Sequence, residues 1–283
     1  MKTRRVILFT VLFTVFSVQA QQNLTYAVVD SDPLLLDLYL PANTKSPVPL
    51  IIWIHGGGWK GGSKENCLPL RLGFTERGYA VASINYRLTG TASFPAQIED
   101  CKAAVRWLRA HAGRYGLNSD HFGVWGSSAG GHLVALLGTS GDVSSFDVGE
   151  NLNFPSRVQA VCDYYGPSDF KTMGTVSGFE RHASADSPES ALLGGTPDKK
   201  PETAATASPV THATPDDPPF LIIHGDQDRT VPPDQSRRMD AALREVGVET
   251  KLIILPGSGH GGPAFSAPEI VGEVASFFDR HLK

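Results

Sequence analysis

The serine at position 128 has the sequence context of a catalytic nucleophile. It lies in residues 126–130, which read GSSAG, after an apolar segment ending at Trp125 and before a predicted helix. Glycines two residues on either side of a serine permit a sharp, strained turn that lifts its hydroxyl above a sheet. The neighbouring Ser127 would point elsewhere in such a turn. The five-residue pattern also occurs by chance, so the strand before it and the helix after it are what favour a nucleophile at Ser128.

Candidate partners for this serine follow two later apolar segments. Asp226 and Asp228 lie in residues 224–228 (HGDQD), and His260 lies in residues 256–261 (PGSGHG). A serine hydroxyl needs an adjacent imidazole to take its proton, and that imidazole needs a carboxylate to fix its tautomer. A lone histidine after a strand is usually structural. Serine, acid and histidine in this chain order, each just past a strand, instead predict nucleophilic catalysis.

A glycine tract at residues 55–59 (HGGGW) follows the apolar segment 50–54. Consecutive glycines expose backbone N–H groups with no side chain in the way, which is what a developing oxyanion needs, and each such donor contributes about 3 kcal/mol to transition-state stabilisation. A phosphate-binding loop is the alternative. The tract lacks the Gly-Lys-Ser/Thr ending of a nucleotide P-loop and the spacing of a dinucleotide fingerprint. It therefore predicts an oxyanion hole, with His55 bracing the loop.

These loops require a scaffold that brings the ends of several strands to one edge. Short apolar runs alternate with helix-length amphipathic segments from about residue 48 to the end of the chain. This alternation predicts an α/β fold, with a mostly parallel sheet covered by helices on both faces and an antiparallel pair of strands at its start. Strands are predicted at 24–29, 34–39, 49–54, 79–85, 122–125, 158–163, 220–224 and 251–255, and helices at 65–77, 96–111, 129–138, 234–246 and 268–282.

Residues 170–219 interrupt the alternation. They are rich in Pro, Ala, Thr, Ser and Gly, with one short helix candidate at 188–193. A loop of this length inside a compact domain is usually functional or disordered. We expect a small cap over the carboxyl edge of the sheet, and the alternative is a surface excursion without a role.

The first 20 residues have the pattern of a secretory signal peptide. Lys2, Arg4 and Arg5 precede an apolar run at 6–18, and small or apolar residues precede a cleavage point after Ala20. The run is about 13 residues, whereas spanning a bilayer takes roughly 20, so a retained anchor is the weaker alternative. We expect a secreted or periplasmic chain with one domain over residues 21–283 and no stable membrane anchor.

Composition and cysteine usage exclude several classes of protein. Hydrophobic residues make up 41% and charged residues 19%, which is typical of a folded globular chain and not of disorder, collagen or a coiled coil. The formal net charge of −4 argues against a nucleic-acid partner. The cysteine spacing fits no zinc motif, and no metal is expected. In an oxidising compartment Cys67 and Cys101 form either a disulfide or two separate core thiols, and Cys162 is predicted to lie buried in a strand.

The motifs together resemble those of the α/β-hydrolase superfamily, in its esterase and lipase branch with an HGGGW-type motif. The sequence is similar to hormone-sensitive-lipase-like and to feruloyl or acetyl esterase-like enzymes from about residue 36 to the C-terminus. The resemblance implies an α/β-hydrolase fold and no metal or organic cofactor. It also prefers Asp228 to Asp226, because the family pattern places Val-Pro two residues after the acid, and residues 231–232 complete it. The roles it implies are nucleophile for Ser128, acid for Asp228, general base for His260, and oxyanion amides from Gly57, Gly58 and Ala129, with the amide of Trp59 as an alternative.

The expected function is that of a secreted serine carboxylesterase acting on short acyl or aryl esters, with acetyl or feruloyl groups on plant polysaccharide as the substrates in view. The short cap departs from the larger helical lid of true lipases and argues against long-chain triglycerides. Trp59 and Tyr86 are predicted to contact substrate, and residues 163–165 are a further pocket candidate. One alternative is a serine peptidase of the prolyl-oligopeptidase-like type, although the chain leaves no room for a propeller domain. Another is a non-catalytic binding module on the same fold, which the complete set of motifs disfavours.

Overall fold

A mixed eight-stranded sheet forms the centre of the computed structural model, which describes residues 19–42 and 47–283. The strands are β1 (Gln19–Val29), β2 (Asp32–Leu40), β3 (Val48–Ile54), β4 (Ala80–Ile84), β5 (Leu117–Ser127), β6 (Ala160–Tyr164), β7 (Phe220–Gly225) and β8 (Thr250–Leu255). Their order in the sheet is β1-β2-β4-β3-β5-β6-β7-β8. β2 pairs antiparallel with β1 and with β4, and all remaining pairs are parallel. The carboxyl ends of β3 to β8 therefore meet at one edge.

Eight α-helices accompany the sheet within the described residues. They are α1 (Leu68–Arg71), α2 (Ala96–Ala110), α3 (Ala112–Tyr115), α4 (Ala129–Thr139), α5 (Pro188–Leu193), α6 (Pro201–Ala207), α7 (Asp234–Glu245) and α8 (Pro268–Leu282). Successive side chains of a strand point to opposite faces, so each face has its own core. Residues 50, 52 and 54 of β3 belong to the core on the face covered by α2, α4 and α7, whereas residues 51 and 53 belong to the core on the face covered by α8. This is the predicted α/β-hydrolase fold, with helices on both faces of the sheet.

Most predicted elements are confirmed, with shifts at their ends. The antiparallel opening pair and the helices at 96–111, 129–138, 234–246 and 268–282 are present. The prediction of a helix over 65–77 is wrong, because the helix covers only Leu68–Arg71. Pro69 is compatible with the first turn of a helix and not with its interior. Gly73 has a φ of +70°, and the chain leaves the helical conformation there.

The cysteines settle as separate thiols. Cys67, Cys101 and Cys162 are all buried and free. Cys67 belongs to the core cluster that contains α8, and Cys101 to the cluster on the opposite face of the sheet. The sheet lies between the two, so of the two alternatives for this pair the structure has the separate core thiols. Cys162 lies in β6, as expected.

The signal-peptide prediction falls largely on residues 1–18, which lie outside the described part of the chain. Gln19 and Ala20 pair with Leu40 and Tyr39 at the start of β1. None of the helices within residues 19–42 and 47–283 combines the length and the apolar character that crossing a membrane requires.

The stretch at 170–219 consists of short helical pieces joined by turns. It contains α5, which was predicted, and α6, which was not, together with three short 3₁₀ turns. The Ser187 side chain accepts a hydrogen bond from the backbone N–H of Ser190 and so caps the N-terminus of α5.

Candidate active site

The turn between β5 and α4 holds Ser128 in a strained conformation. Its φ is +55°, a region that non-glycine residues rarely adopt and that is concentrated at functional sites. The Ser128 N–H donates to the Tyr164 carbonyl of β6 at 2.8 Å, which fixes the turn to the sheet. A methyl group at Gly126 would overlap the backbone of Gly130, and one at Gly130 would overlap the carbonyl of Ile54. Both glycines are thus required by the close approach of α4 to the strands.

The structure brings the three predicted triad side chains together. His260 Nε2 lies 2.9 Å from Ser128 Oγ, and His260 Nδ1 lies 2.6 Å from Asp228 Oδ2. Asp228 follows β7 and His260 follows β8, so the parallel sheet places both loops beside the turn after β5. With the Nδ1–H donating to the carboxylate, Nε2 is free to accept the serine proton. This is the geometry that general-base activation of a hydroxyl requires.

The Asp228 carboxylate is buried and fully hydrogen-bonded. Oδ1 accepts the backbone N–H groups of Thr230 and Val231 at 2.7 and 2.9 Å, and Oδ2 accepts from His224 Nε2 at 3.1 Å as well as from His260. Burial alone would raise the pKa of Asp228, but the hydrogen bonds from the two imidazoles and from backbone N–H groups lower it well below the ordinary value. The carboxylate therefore stays ionised and holds His260 in one tautomer.

His224 is a site residue to which the sequence analysis assigned no role. It is fully buried at the end of β7, and its Nδ1 lies 2.6 Å from the Ser236 hydroxyl of α7. With Nδ1 accepting from Ser236, Nε2 carries the proton that it donates to Asp228. Its position four residues before the acid, in a strand that is otherwise apolar, is the sequence signal that could have identified it.

Asp226 lies away from the triad, as the choice between the two acids anticipated. Its Oδ1 accepts the backbone N–H of Gly257 at 2.7 Å. It therefore ties the loop after β7 to the loop that carries His260.

The glycine tract after β3 faces the same turn. Gly58 and Ala129 both line the cavity that contains Ser128, whereas Gly57 is not among its lining residues. Gly57 has a φ of +115°, and its carbonyl accepts the N–H groups of Lys60 and Gly61 in a tight turn. Ala129 is the first residue of α4, where a backbone N–H has no partner within the helix.

His55 stabilises the glycine tract by a hydrogen bond, and Tyr86 packs against His55. His55 is 2% exposed, its Nδ1 lies 2.8 Å from the Gly56 carbonyl, and burial lowers its pKa. The Tyr86 ring stacks on His55 at 4.4 Å, and its hydroxyl donates to the His55 carbonyl at 3.0 Å. Tyr86 is 3% exposed and does not line the cavity. Its predicted contact with substrate is therefore corrected: its hydroxyl is used to hold the glycine tract in place.

Trp59 reaches the cavity wall but most of its side chain is buried. Its ring is 1% exposed and packs edge-on against Phe170 at 5.6 Å. Its Nε1–H donates to His132 Nδ1 at 3.1 Å, and His132 Nε2 lies 2.7 Å from the Ala207 carbonyl at the end of α6. His132 is thus the packed, hydrogen-bonded residue that the sequence suggested, and it connects the glycine tract to residues 170–219.

Tyr165 packs against the histidine of the triad. Its ring centroid lies 4.5 Å from that of His260 and 4.7 Å from that of Phe265. Its φ is +45°, so Tyr165, like Ser128 and Trp59 (φ +56°), is a strained non-glycine residue at the site. Burial raises the pKa of Tyr165 to about 12, so its hydroxyl stays protonated at neutral pH.

A cavity of about 400 Å³ opens beside Ser128, within the usual range for small-molecule sites. One part of its wall is formed by Gly58, Trp59 and Ala129, and another by residues within 181–189 of the stretch between β6 and β7. Thr230 and Val231, from the loop that carries Asp228, also line it. No group of three or more His, Cys, Asp or Glu side chains within residues 19–42 and 47–283 is arranged to hold a metal ion.

Comparison with known proteins finds esterases. Esterase LipC of Mycobacterium tuberculosis is 32% identical over 235 residues, which are 82% of this chain and 58% of that protein. The chain spans about half the length of curated relatives that it matches. A truncated form of a carbohydrate esterase from gut microbiota superimposes with a TM-score of 0.83 at 32% identity, covering 94% of this chain and 96% of the other. A bifunctional GH43-CE of Bacteroides eggerthii superimposes with a TM-score of 0.83 at 34% identity, covering 93% of this chain and 35% of the other.

The family assignment rests on a match to a family model. A family model described as BD-FAE matches residues 36–243, which extend from β2 through α7 and include Ser128 and Asp228. With this match and the fold described above, the chain belongs to the BD-FAE family of α/β-hydrolases.

Proposed function

We propose that the protein is a serine carboxylesterase that hydrolyses short acyl or aryl esters through a Ser128–His260–Asp228 triad. The observation that carries the proposal is the continuous chain of contacts from Ser128 Oγ to His260 Nε2 at 2.9 Å and from His260 Nδ1 to Asp228 Oδ2 at 2.6 Å. The chain of contacts ends at the cavity, where Ser128 is a lining residue. Esterases among the relatives support the same conclusion.

The first half of the reaction follows from these contacts. Ser128 Oγ attacks the ester carbonyl carbon while its proton passes to His260 Nε2, and the ionised Asp228 stabilises the imidazolium that forms. His260 then gives this proton to the departing alkoxide as the bond between the acyl carbon and the alcohol oxygen breaks. The alcohol leaves, and the acyl group stays on Ser128 as an ester.

The second half uses water as the nucleophile. His260 takes a proton from water as its oxygen attacks the acyl carbon, and it returns that proton to Ser128 Oγ when the carboxylic acid leaves. Both tetrahedral intermediates carry negative charge on the former carbonyl oxygen. We assign donation to this oxygen to the N–H groups of Gly58 and Ala129, because both residues line the cavity, and to that of Gly57, with the N–H of Trp59 as the alternative.

We propose esters on carbohydrate, such as the acetyl or feruloyl esters of plant polysaccharide, as the substrates. Two neighbours in structure support this choice, one described as a carbohydrate esterase and one as a bifunctional GH43-CE. The wall formed by residues 181–189 carries Arg181, Ser184, Asp186 and Glu189, which makes it polar and unlike the apolar channel that a long alkyl chain would need.

A panel of 4-nitrophenyl esters from acetate to palmitate tests the proposal. We expect the highest kcat/KM on the shortest acyl groups, and Ser128→Ala to remove the activity. Ser127→Ala is the matched control, because Ser127 precedes the nucleophile in the same turn but is not among the residues that line the cavity. Activity that survives Ser128→Ala would refute the triad. Release of an arylamine from aminoacyl arylamides, without ester cleavage, would favour a peptidase. A protein that cleaves neither class of substrate would favour a binding module.

We also propose that the protein is exported to the periplasm or the outside of the cell and that a signal peptide is removed after Ala20. The positively charged start, the apolar run at 6–18 and the small residue at the cleavage point support this. N-terminal sequencing of the protein from an exported fraction is expected to begin at Gln21. A protein that stays in the cytoplasm with residue 1 or 2 at its N-terminus would contradict it.

A further inference from the structure

The stretch between β6 and β7 supplies a buried carboxylate to the cavity wall. Glu189 lies in the first turn of α5, is 4% exposed, and lines the cavity that holds Ser128. Its Oε2 has no hydrogen-bond partner among the described residues. A buried polar atom without a partner is costly, and in the wall of a cavity a bound molecule can supply the missing partner.

Other polar side chains on this wall are already used. The Ser184 hydroxyl donates to the Arg181 carbonyl at 2.6 Å, and the Ser187 hydroxyl lies 3.2 Å from the His182 carbonyl and 3.0 Å from the Ser190 hydroxyl. The Arg181 guanidinium donates to the Arg229 and Thr230 carbonyls at 2.7 and 3.2 Å. Glu189 is therefore the buried side chain of the wall that retains an unused acceptor.

Glu189 is held in place by His182. His182 Nε2 lies 2.9 Å from the Thr230 carbonyl and must donate to it, so in a neutral ring Nδ1 is an acceptor. His182 Nδ1 lies 3.0 Å from Glu189 Oε1. The contact is not oriented as a hydrogen bond, since neither His182 Nδ1 nor Glu189 Oε2 has a hydrogen-bond partner among the described residues. This leaves the accepting capacity of the carboxylate for a donor from the cavity.

From these contacts we propose that Glu189 is a specificity-determining residue, whose carboxylate accepts a hydrogen bond from a hydroxyl group of the substrate close to the ester. This inference rests on the proposed esterase function and narrows it to esters of hydroxylated compounds. The donor cannot be negatively charged, because such a group would be repelled by Glu189 and by Asp186, which lines the same cavity. An N–H or O–H donor to a charged acceptor forms a stronger hydrogen bond than one to a neutral acceptor.

A pair of acetates of similar size tests the proposal. Cyclohexyl acetate and methyl β-D-xylopyranoside carrying one acetyl group both present a six-membered ring, and only the second offers hydroxyl donors. Acetate release in a pH-stat gives kcat/KM for each. A hydrogen bond to a charged group corresponds to a preference of about tenfold to a hundredfold, so we expect the wild type to favour the xyloside by that factor.

Variants assign the preference to Glu189. Glu189→Leu is expected to abolish the preference, so that kcat/KM becomes about equal for the two acetates. Glu189→Gln keeps an oxygen acceptor without the charge and is expected to retain part of the preference. Asp186→Asn is the matched control, because Asp186 lines the same cavity but is exposed, and it is expected to keep the full preference. Should Glu189→Leu fail to fold, wild type and Glu189→Gln are compared instead. Methyl β-D-xylopyranoside serves as an inhibitor of 4-nitrophenyl acetate hydrolysis, and its inhibition constant is expected to be higher for Glu189→Gln than for wild type.

The outcomes separate the two proposals. A wild type without preference, or a Glu189→Leu variant that loses both activities equally, would overturn the role of Glu189. Hydrolysis of cyclohexyl acetate that depends on Ser128 would in either case leave the esterase function standing. If neither ester is cleaved, the proposed function fails and this inference fails with it.

Discussion

The stability of the protein is expected to depend on the neutral state of His132. This ring is fully buried, accepts a hydrogen bond from Trp59 at Nδ1, and donates one from Nε2 to the Ala207 carbonyl. A second proton would place an N–H against the N–H of Trp59. Burial lowers the pKa of His132 from 6.5 to about 4, although its hydrogen bond to Ala207 acts in the opposite direction.

The size and sign of the effect follow from this pKa. Between about pH 6.5 and pH 4 the histidine of the unfolded chain takes up a proton that the folded chain refuses. The stabilisation that comes from the neutral His132 ring is therefore complete above pH 6.5 and is lost as the pH falls toward 4. A pKa difference of this size corresponds to about 3 kcal/mol of unfolding free energy.

The His132→Gln variant isolates the effect of His132 protonation on the free energy of unfolding. A glutamine amide can accept from Trp59 and donate to Ala207 but does not titrate. In urea unfolding from pH 7.5 to pH 4, we expect the stability of His132→Gln relative to wild type to rise by about 3 kcal/mol as the pH falls. Other titrating groups cancel in this difference. Trp59→Phe removes the N–H that a second proton would face but keeps the buried ring, and because burial is the main cause of the lowered pKa, it is expected to retain most of the pH dependence of the wild type. A difference between His132→Gln and wild type that stays constant with pH would refute the reasoning.

Three further predictions follow from buried groups near the turn that carries the nucleophile. Burial raises the pKa of Asp163 to about 7, so the stabilisation from its neutral form is complete below about pH 4 and is lost as the pH rises through 7. In the same unfolding series the free energy of unfolding of Asp163→Asn, relative to wild type, is expected to rise by about 4 kcal/mol between pH 4 and pH 8. A difference that does not change with pH would contradict this. Gly130→Ala forces a methyl group against the Ile54 carbonyl of β3, and it is expected to lower the free energy of unfolding by about 1–3 kcal/mol or more and to remove most of the esterase activity. In Gly272→Ala of α8 the methyl group meets no atom within 4 Å, so this variant is expected to raise the free energy of unfolding by about 0.5–1 kcal/mol. Equal melting temperatures for the two variants would contradict this prediction. Asp228→Asn is expected to lower kcat by about 10⁴ with a small change in KM, and a loss confined to KM would argue against a role in orienting the imidazole.

The sheet could be predicted because its signals are local. The amphipathic face of α2 and the apolar runs of β3, β7 and β8 each carry their own periodicity. The helix predicted at 65–77 failed because its apolar residues fit a helical pattern although Pro69 and Gly73 leave room for only one turn. α6 was missed even though Pro201 and Glu202 are typical of a helix start, because the composition of the surrounding stretch favoured loops.

The chain order of the three triad residues could be predicted from the sequence, but the packing around them could not. Ser128, Asp228 and His260 carry signals in their own flanking residues. Tyr86 stands at a strand end on the correct edge, and only the packing of its ring on His55 shows that it faces the loop and not the cavity. The contact of Glu189 with His182 lies within a stretch without periodicity, and the contact of His182 with Thr230 joins residues that are 48 positions apart in the chain. No local pattern encodes such contacts.

The central claim is that Ser128 becomes covalently modified by the substrate's acyl group with the help of His260. Reaction with an activated organophosphate ester, followed by peptide mass mapping, tests it most directly, because the adduct on a serine is stable. We expect a single adduct on Ser128 in the wild-type protein and none at the same exposure time in His260→Ala. An adduct on Ser127 or on another residue, or equal modification of Ser128 without His260, would contradict the account.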